Sequence, residues 1–558
     1  MLPFGKTSVK KTKRKPPIHR IVSVAAPIGG INARDALAAM PQTDAYNLIN
    51  WIPKRYGIQS RRGYAQWATG LGASVRTVMS YFSSATNIPS TSTFQVAPTT
   101  LPGKVFASTD ASIFDVTSSG AVGAAVVTLS NTANAGNISS VNFTTSGGSF
   151  LLGCSETDGY YTYDGATWVK VILGAGATQV SVTDPTKFCQ VAIWKRRAWF
   201  VTKSSSKVSY LPVDSIYGAG TFLDLGPLFK HGGSVAWISN WTIDAGEGID
   251  DFLVIASENG DIVIYKGTDP ASSTTFSLVG VWYAGEIPKG RKGFLAYGGD
   301  LLIVCNSGIL PVSYITRGGT NTLSATADGN YTAKINQLFS NTIGTTFNFF
   351  GWELHNVLRE SLIVVLVPNV LAGQDVQYVM NTDSNQWCVF NGMPMTCLET
   401  IAGWPLFGAA NGQVYIAFTS FTDGDTLAGA AGTSIQGTIQ PAFDYFSSDN
   451  SSISQNKHFL MAQPSFLAVN APGVNVVMNT NFLAGNAAGT PTPGSSGGAL
   501  LDIGIWDVAT WGGGQNLYRR WMGADGIGYS GQLSLTTAVN SDTTLISIDY
   551  MFELGGPM

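Results

Sequence analysis

Charged side chains are scarce in this 558-residue sequence: Asp, Glu, Lys and Arg make up 12% of it, where about 25% is usual for soluble chains. Gly, Ser, Thr and Asn fill the gap, and glycine alone contributes 64 residues. A solitary soluble molecule keeps itself dispersed with a charged surface. So little charge therefore points to a surface partly hidden against neighbours. Cysteine is also rare. The five cysteines (Cys154, Cys189, Cys305, Cys388 and Cys397) are odd in number and include no CxxC pair. That argues against a disulfide framework and a zinc site, and suits buried free thiols in a chain made in a reducing cytosol. Histidine occurs four times, at His19, His231, His355 and His458, never in HxH or HExxH spacing. A zinc hydrolase thus has no support. No Gly-rich loop ends in Gly-Lys-Ser/Thr, and no cofactor is expected. No apolar run approaches the roughly 18–20 residues of a membrane helix. The run Ile21–Ala26 is too short for a secretion-signal core, so no membrane insertion is expected.

What charge there is lies unevenly. Residues 1–20 hold seven of the 32 basic residues and no acid, which leaves 25 basic against 35 acidic residues in the remainder, a balance of −10. A basic arm on an acidic body is an interaction-tail pattern. Lys10, Lys11, Lys13, Arg14 and Lys15 are its candidate partner-contact residues.

Helical periodicity is weak. One short helix is expected from Arg34 to Met40, stopped by Pro41. From about residue 101 a different pattern recurs: an apolar run, a Gly/Asn/Asp turn, then a run rich in Tyr, Phe or Val. Phe150–Gly153 with Tyr160–Tyr163 is one instance, and Leu301–Val304 with Pro311–Tyr314 another. The first runs start near residues 105, 150, 198, 252, 301, 362 and 406. Each unit reads as a β-hairpin. A period near 40–50 residues is the mark of a β-propeller, whose blades cannot bury both faces alone and so pack radially. The expected fold is mainly β: a propeller of about six to eight blades, with an additional β-sandwich-like domain formed by the C-terminal region and the N-terminal segment. The expected boundaries are 1–20 for the basic arm, 21–100 for an N-terminal segment packing on the body, 101–424 for the propeller, and 425–558 for the sandwich-like domain. The stretches 424–432 and 485–498 read as small-residue loops.

The search for chemistry finds little. Asp244, Glu247, Asp250 and Asp251 cluster around two glycines, and Asp423 and Asp425 flank Gly424. Such loops can hold Ca²⁺, but neither has the spacing of a known calcium loop, and solvated loops are the expected reading. A propeller glycoside hydrolase or lyase needs two facing carboxylates, which sequence alone cannot pair. Trp237 with Trp241, and Trp506 with Trp511, would serve as sugar or base platforms if exposed, and as core if buried. Arg61-Arg62, Lys195–Arg197 and Arg519-Arg520 are expected to form surface ion pairs. No catalytic or metal-binding residue is expected.

The most specific segment runs from Pro27 to Tyr64. It contains Gly29-Gly30-Ile31-Asn32-Ala33-Arg34-Asp35, Met40-Pro41, Asp44-Ala45, Asn50-Trp51-Ile52-Pro53 and Arg61-Arg62-Gly63-Tyr64. Read mechanically, Gly29-Gly30 permits a sharp turn. Asn32 caps the short helix, and Arg34 and Asp35 pair. Asn50 closes an Asx-type turn before Trp51, whose large area pins the segment to a core. Arg61 or Arg62 sits on a strand ending at Gly63. All of these roles are structural. The segment resembles the N-terminal signature of the tail nozzle or hub proteins of short-tailed bacteriophages, related to the packaged-DNA-stabilization proteins. Lys457-His458-Phe459 and the closing Asp549–Gly556 run are similar to that family too. The resemblance covers about 40 residues strongly and the C-terminal end more weakly. It implies a virion protein made in the host cytoplasm: a homo-hexameric ring with a β-propeller, placed below the portal and adaptor. It also implies tail fibres or spikes as partners, and genomic DNA held in and released through the lumen without sequence preference. A neutral or acidic lumen would avoid gripping phosphates. A propeller polysaccharide hydrolase or lyase, or a carbohydrate-binding receptor-recognition protein of the virion, is the alternative.

Overall fold

The computed structural model describes residues 19–83, 85–86, 98–244, 249–317, 329–368, 375–427, 429–446, 455–483, 489–494 and 515–555. The basic arm, including Lys10, Lys11, Lys13, Arg14 and Lys15, lies outside these residues. The N-terminal segment supplies six strands: β1 (His19–Ala25), β2 (Ala45–Ile49), β3 (Trp51–Lys54), β4 (Gly57–Ser60), β5 (Tyr64–Thr69) and β6 (Val75–Tyr81).

Seven propeller blades follow one another among the described residues. Blade 1 is β6, Lys104–Thr109, Ser112–Asp115 and Val127–Thr128. Blades 2, 3 and 4 are four-stranded antiparallel meanders whose inner strands are Ile138–Thr145, Phe188–Trp194 and Val235–Asp244. Blade 5 has three strands, Phe294–Tyr297, Asp300–Cys305 and Gly308–Pro311. Blade 6 runs Glu353–Val357, Leu362–Leu366, Gln377–Asn381 and Gln386–Phe390. Blade 7 takes Cys397–Ile401, Trp404–Gly408 and Val414–Ala417 from the chain's own order, and β5 as its fourth strand. The inner strand of blade 7 packs on β6, so the ring closes on itself. N-terminal strand β5, which runs on into β6 of blade 1, completes the last blade and so ties the ring's two ends together.

The apolar cores explain the ring. Buried residues cluster between consecutive blades: Phe106, Ile138 and Leu151 between blades 1 and 2, Tyr160, Phe188 and Phe200 between 2 and 3, and Trp199, Leu253 and Val263 between 3 and 4. Trp237, Ile262 and Leu301 fill the next gap, and Trp67, Val78 and Ile401 the one between blades 7 and 1. Fully burying one such side chain contributes roughly 1.5–3 kcal/mol. The five cysteines are all buried within this framework. Burial pushes the Cys189, Cys305 and Cys397 thiols up to about 12, which leaves them as inert core groups.

The second body is a β-sandwich. The closing strand Thr543–Leu554 pairs with β1 and β4 along one edge and with Lys457–Ala468 along the other. Opposite it, Thr433–Pro441, Gly531–Val539 and Gly473–Thr480 pair in that order. Ile439, Leu533 and Leu535 from one sheet meet Phe459, Leu545, Ile548 and Phe552 from the other in a single core. β2 pairs with both blade 6 and Thr433–Pro441, so it bridges propeller and sandwich.

Several sequence expectations are corrected here. The segment 21–100 does not act as one unit: β1, β3 and β4 belong to the sandwich, β5 and β6 to the propeller. The propeller therefore starts before residue 101. Its last blade strand ends at Ala417, and Thr422–Asp425 leaves the blade to pair with β5 and Thr433–Pro441. Arg34–Met40 is a series of turns, not a helix. Its flanking backbone bonds elsewhere, Ala33 N–H to the Lys334 carbonyl and Ala45 N–H to Gly30. The strand expected at Pro311–Tyr314 stops at Pro311, and Val312–Thr316 is one helical turn. A helix at Asn336–Thr346, burying Phe339 and Ile343 between blades 5 and 6, was not expected.

Candidate functional site

The N-terminal motif forms the joint between the two bodies. Arg61 follows β4 rather than lying on a strand, and its side chain is 0% exposed. All five guanidinium donors are used. Nη1 and Nη2 meet Asp423 at 2.7 and 2.6 Å, Nε meets Asn50 Oδ1 at 2.8 Å, and the Asn391 and Arg62 carbonyls accept at 2.9 and 3.2 Å. This is the fork geometry that arginine alone provides. Its neighbour Arg62 faces Glu360 at 3.9 Å.

Asn50 is a second hub, not an Asx turn. Its Oδ1 also accepts from the Asn391 N–H at 2.9 Å, and its Nδ2 donates to the carbonyls of Asn391 and Gln436 at 2.9 and 2.7 Å. Its φ of 62° is left-handed, a conformation asparagine tolerates better than most residues. Three distant segments, at Asn391, Asp423 and Gln436, thus converge on two side chains.

The other motif residues support this joint. A Cβ on Gly30 (φ +69°) would lie 2.7 Å from the Trp387 carbonyl, and one on Gly29 would lie 1.9 Å from Asp44 Oδ1. Lys334, which the sequence did not single out, ties this turn down through the Gly29 carbonyl and Asp44 Oδ1, each at 3.0 Å. Asn32 caps a turn without a helix: its Oδ1 accepts from the Arg34 and Asp35 N–H groups at 3.1 and 3.0 Å, and its Nδ2 donates to Asp35 and Asp44. Arg34 and Asp35 pair at 2.9 Å as expected. Trp51 is buried in the sandwich core and donates to Thr537 Oγ1 at 3.1 Å. The Pro53 carbonyl accepts from Asn381 at 2.8 Å. Tyr64 packs edge-on against Phe407 and Tyr415 in blade 7.

Gly63 passes so close to Thr422 that an added Cβ would sit 1.9 Å from its carbonyl oxygen. Gly63→Ala is expected to destabilise the protein by about 1–3 kcal/mol through this clash, read as a lower urea midpoint with an unchanged m-value.

The propeller axis holds a second group of buried charges. A cavity of about 700 Å³ is lined by inner-strand residues of blades 2 to 6, among them Ser139, Gln190, Asn240, Phe294 and His355. The segment 288–293, which leads into blade 5, crosses one end of it. Arg291 reaches over to Glu156 in blade 2 as a bidentate pair at 2.8 and 2.9 Å, and its Nη1 donates to the Val235 and Ala236 carbonyls of blade 4. The Arg291 carbonyl accepts from Gln190 of blade 3 at 3.3 Å. Lys292 faces the other way, with Glu353 of blade 6 at 4.0 Å and Glu399 of blade 7 at 3.8 Å, and His355 meets Glu353 at 2.8 Å. Two consecutive cations therefore staple the blades across one end of the axis.

Burial alone would raise the Glu353 carboxyl, but Lys292 and His355 outweigh it and hold it below its usual range. Burial likewise opposes the Lys292 charge, and Glu353 and Glu399 overcome it, so the ammonium is raised. A depressed carboxylate contributes stability above its unfolded value of roughly 4.3, lost as pH falls through the folded one; a raised ammonium contributes below roughly 10.4, lost as pH rises. Lys292→Met should therefore reduce the alkaline fall in melting temperature, to which the buried thiols also contribute, and shrink the acid one. Thermal scans across pH check this.

The acidic clusters do not converge. Asp423 is held by Arg61 and Asp425 by the Gly432 N–H at 2.7 Å. Asp251 pairs with Lys195 at 3.1 Å. Glu247 and the side chains of Asp244 and Asp250 lie outside the described residues. Two of the basic clusters form ion pairs as expected, Arg196 with Asp214, Arg197 with Asp269 and Arg519 with Asp549, whereas the Arg61 pair, expected at the surface, is buried. Trp237 and Trp241 are core residues, while Trp506 and Trp511 fall outside the described residues.

No family model matches the chain, and no curated protein is significantly similar. Among solved structures, the chain is similar to the computationally designed Ika8 protein at 9% identity and TM-score 0.34, covering 67% of this chain and 96% of that one. The β-propeller domain of Cps50 (Swd1) from Myceliophteria thermophila gives 10% identity and TM-score 0.32, covering 56% and 93%. BBS1N, solved in complex with ARL6DN, gives 12% and 0.26, covering 46% and 74%. At scores this low the architecture rests on the strand pairing itself, which makes the chain a mainly β protein: a seven-bladed propeller clamped to a β-sandwich.

Proposed function

We propose that this chain is the nozzle or hub subunit of a short-tailed phage virion, built to assemble into a ring.

 The observation that carries this reading is the Gly29–Tyr64 motif: its buried polar residues Asn32, Asn50 and Arg61, with Asp44, hold distant segments together at the joint of two domains. The low charge supports it, because subunit flanks buried in a ring need few charged residues. The axial staple at Arg291 and Lys292 supports it as well. A propeller axis crossed at one end by buried ion pairs leaves the DNA lumen to be formed between copies, six in the family it resembles. Above and below, the portal and adaptor proteins and the tail fibres or spikes are the expected neighbours, and the genome passes without sequence-specific contact. The protein would act in the tail of the virion through shape and assembly, with no catalytic group and no cofactor.

Negative-stain imaging of the purified protein and of virions tests this. Rings in solution, and the same protein in the tail, are the expected result. Uniform monomers together with absence from virions would overturn it.

A further inference from the structure

Strand β1 is the edge of the sandwich sheet. It pairs with Thr543–Leu554 over seven residues without a register shift, and among the described residues no strand pairs with its other side. The Ala26 N–H bonds to the Ile546 carbonyl. Alternation along the ladder then turns the N–H and C=O groups of Ile21, Ser23 and Ala25 outward. Soluble proteins guard such edges with charges, prolines or bulges. Residues Ile21–Ala25 carry none of these, and Ile21 is 58% exposed.

The outward edge is also one wall of a groove of about 570 Å³. Gln42, Thr43, Asp444 and Phe446 form the facing wall. Asp444 makes no ion pair among the described residues. Its carboxylate accepts from Gln42 Nε2 at 2.7 Å and from the Phe446 N–H at 2.8 Å. Burial pushes this carboxyl above its usual range, and those hydrogen bonds and Lys457 offset the effect only in part. A cation arriving in the groove would gain there.

We propose that this groove receives the basic N-terminal arm of a second copy of the chain, added as a strand on the free edge of β1. The inference rests on the ring reading above and adds the contact that joins one copy to the next. Residues 1–18 carry six basic residues and no acid, which complements Asp444, the acid that lines the groove along with Arg20, and Glu553 at the end of β1, which pairs with His19 at 3.2 Å. Extended, those 18 residues span up to about 60 Å, enough to reach a neighbour. The same copy's arm is a poor occupant. Pro16-Pro17 stands just before β1, and proline holds φ near −65°, whereas a tight hairpin turn needs positive φ. Two prolines at this place disfavour a hairpin back onto β1 within one copy, and a head-to-tail contact between copies closes into a ring when the rotation permits.

The test uses the full-length protein. Copies grown in heavy and light isotopes are mixed, assembled and treated with a zero-length carboxyl-to-amine cross-linker. Links between arm lysines and Asp444 or Glu553 that join heavy to light copies are expected. Hydrogen exchange at Ile21, Ser23 and Ala25 should slow at least about tenfold on assembly. Ser23→Pro removes one outward N–H while sparing the ladder to Thr543–Leu554. It should abolish the slowing with the fold intact by circular dichroism, and so should reversing the charge of Lys10, Lys11, Lys13, Arg14 and Lys15 in the full chain. Links confined to single copies would overturn the inference. Rings that form with β1 unprotected would also overturn it and leave the ring reading standing. Monomers showing neither links nor protection would sink both.

Discussion

Replacing Arg61 with alanine is expected to cost about 3–5 kcal/mol of stability, the loss usual when one partner of a buried ion pair is removed. The substitution strands the Asp423 carboxylate, which two short bonds now satisfy, and frees Asn50 and the Asn391 carbonyl. Arg61→Lys should recover little, since a lysine has three donors on a point charge where five donors in a plane are used. Urea unfolding measures the loss. Hydrogen exchange should locate it at β2, at Gln386–Phe390 and at Thr433–Pro441, the strands that meet at the joint. A loss below about 1 kcal/mol would mean that the joint does not depend on this side chain.

The second large effect is expected at the axis. Arg291→Ala removes the bidentate partner of Glu156 and two donors to blade 4, again about 3–5 kcal/mol. The signature differs from that of Arg61: the inner strands Ile138–Thr145, Phe188–Trp194 and Val235–Asp244 should lose exchange protection first. Pairing Arg291→Met with Glu156→Leu should be milder than either single change, because no buried charge is then left alone. If the double variant is as unstable as the sum of the singles, the pair does not act as a staple.

How far the sequence could be read follows from burial. The seven apolar runs starting near residues 105, 150, 198, 252, 301, 362 and 406 fall on the second strand of each of the seven blades. Those strands are buried on both faces, as in Leu362–Leu366, so they read as unbroken apolar stretches. Inner strands border the axial cavity and outer strands border solvent. Ile138–Thr145 and Thr221–Asp224 are accordingly mixed in character and carry no comparable mark. The blade count stayed open for that reason, and so did the split of residues 21–100 between propeller and sandwich. The short helix expected at Arg34–Met40 failed because local propensity gave way to backbone bonds with Lys334 and Gly30.

The candidate site divides the same way. Gly29-Gly30, Asn32, Arg34, Asp35, Trp51 and Gly63 stood out in the sequence, and each has a structural role in the folded protein. The partners did not stand out. Asp423 lies 362 positions from Arg61 and Glu156 lies 135 from Arg291, separations that no local pattern encodes.

Sequence alone determined the class of the fold and the repeat, because hydrophobic period and turn chemistry act over a few residues. Tertiary structure alone decided which blade β5 would complete, which charges would meet at the joint and the axis, and which strand edge would be left open. Those are consequences of ring closure, which brings together groups far apart along the chain only once every blade is in place.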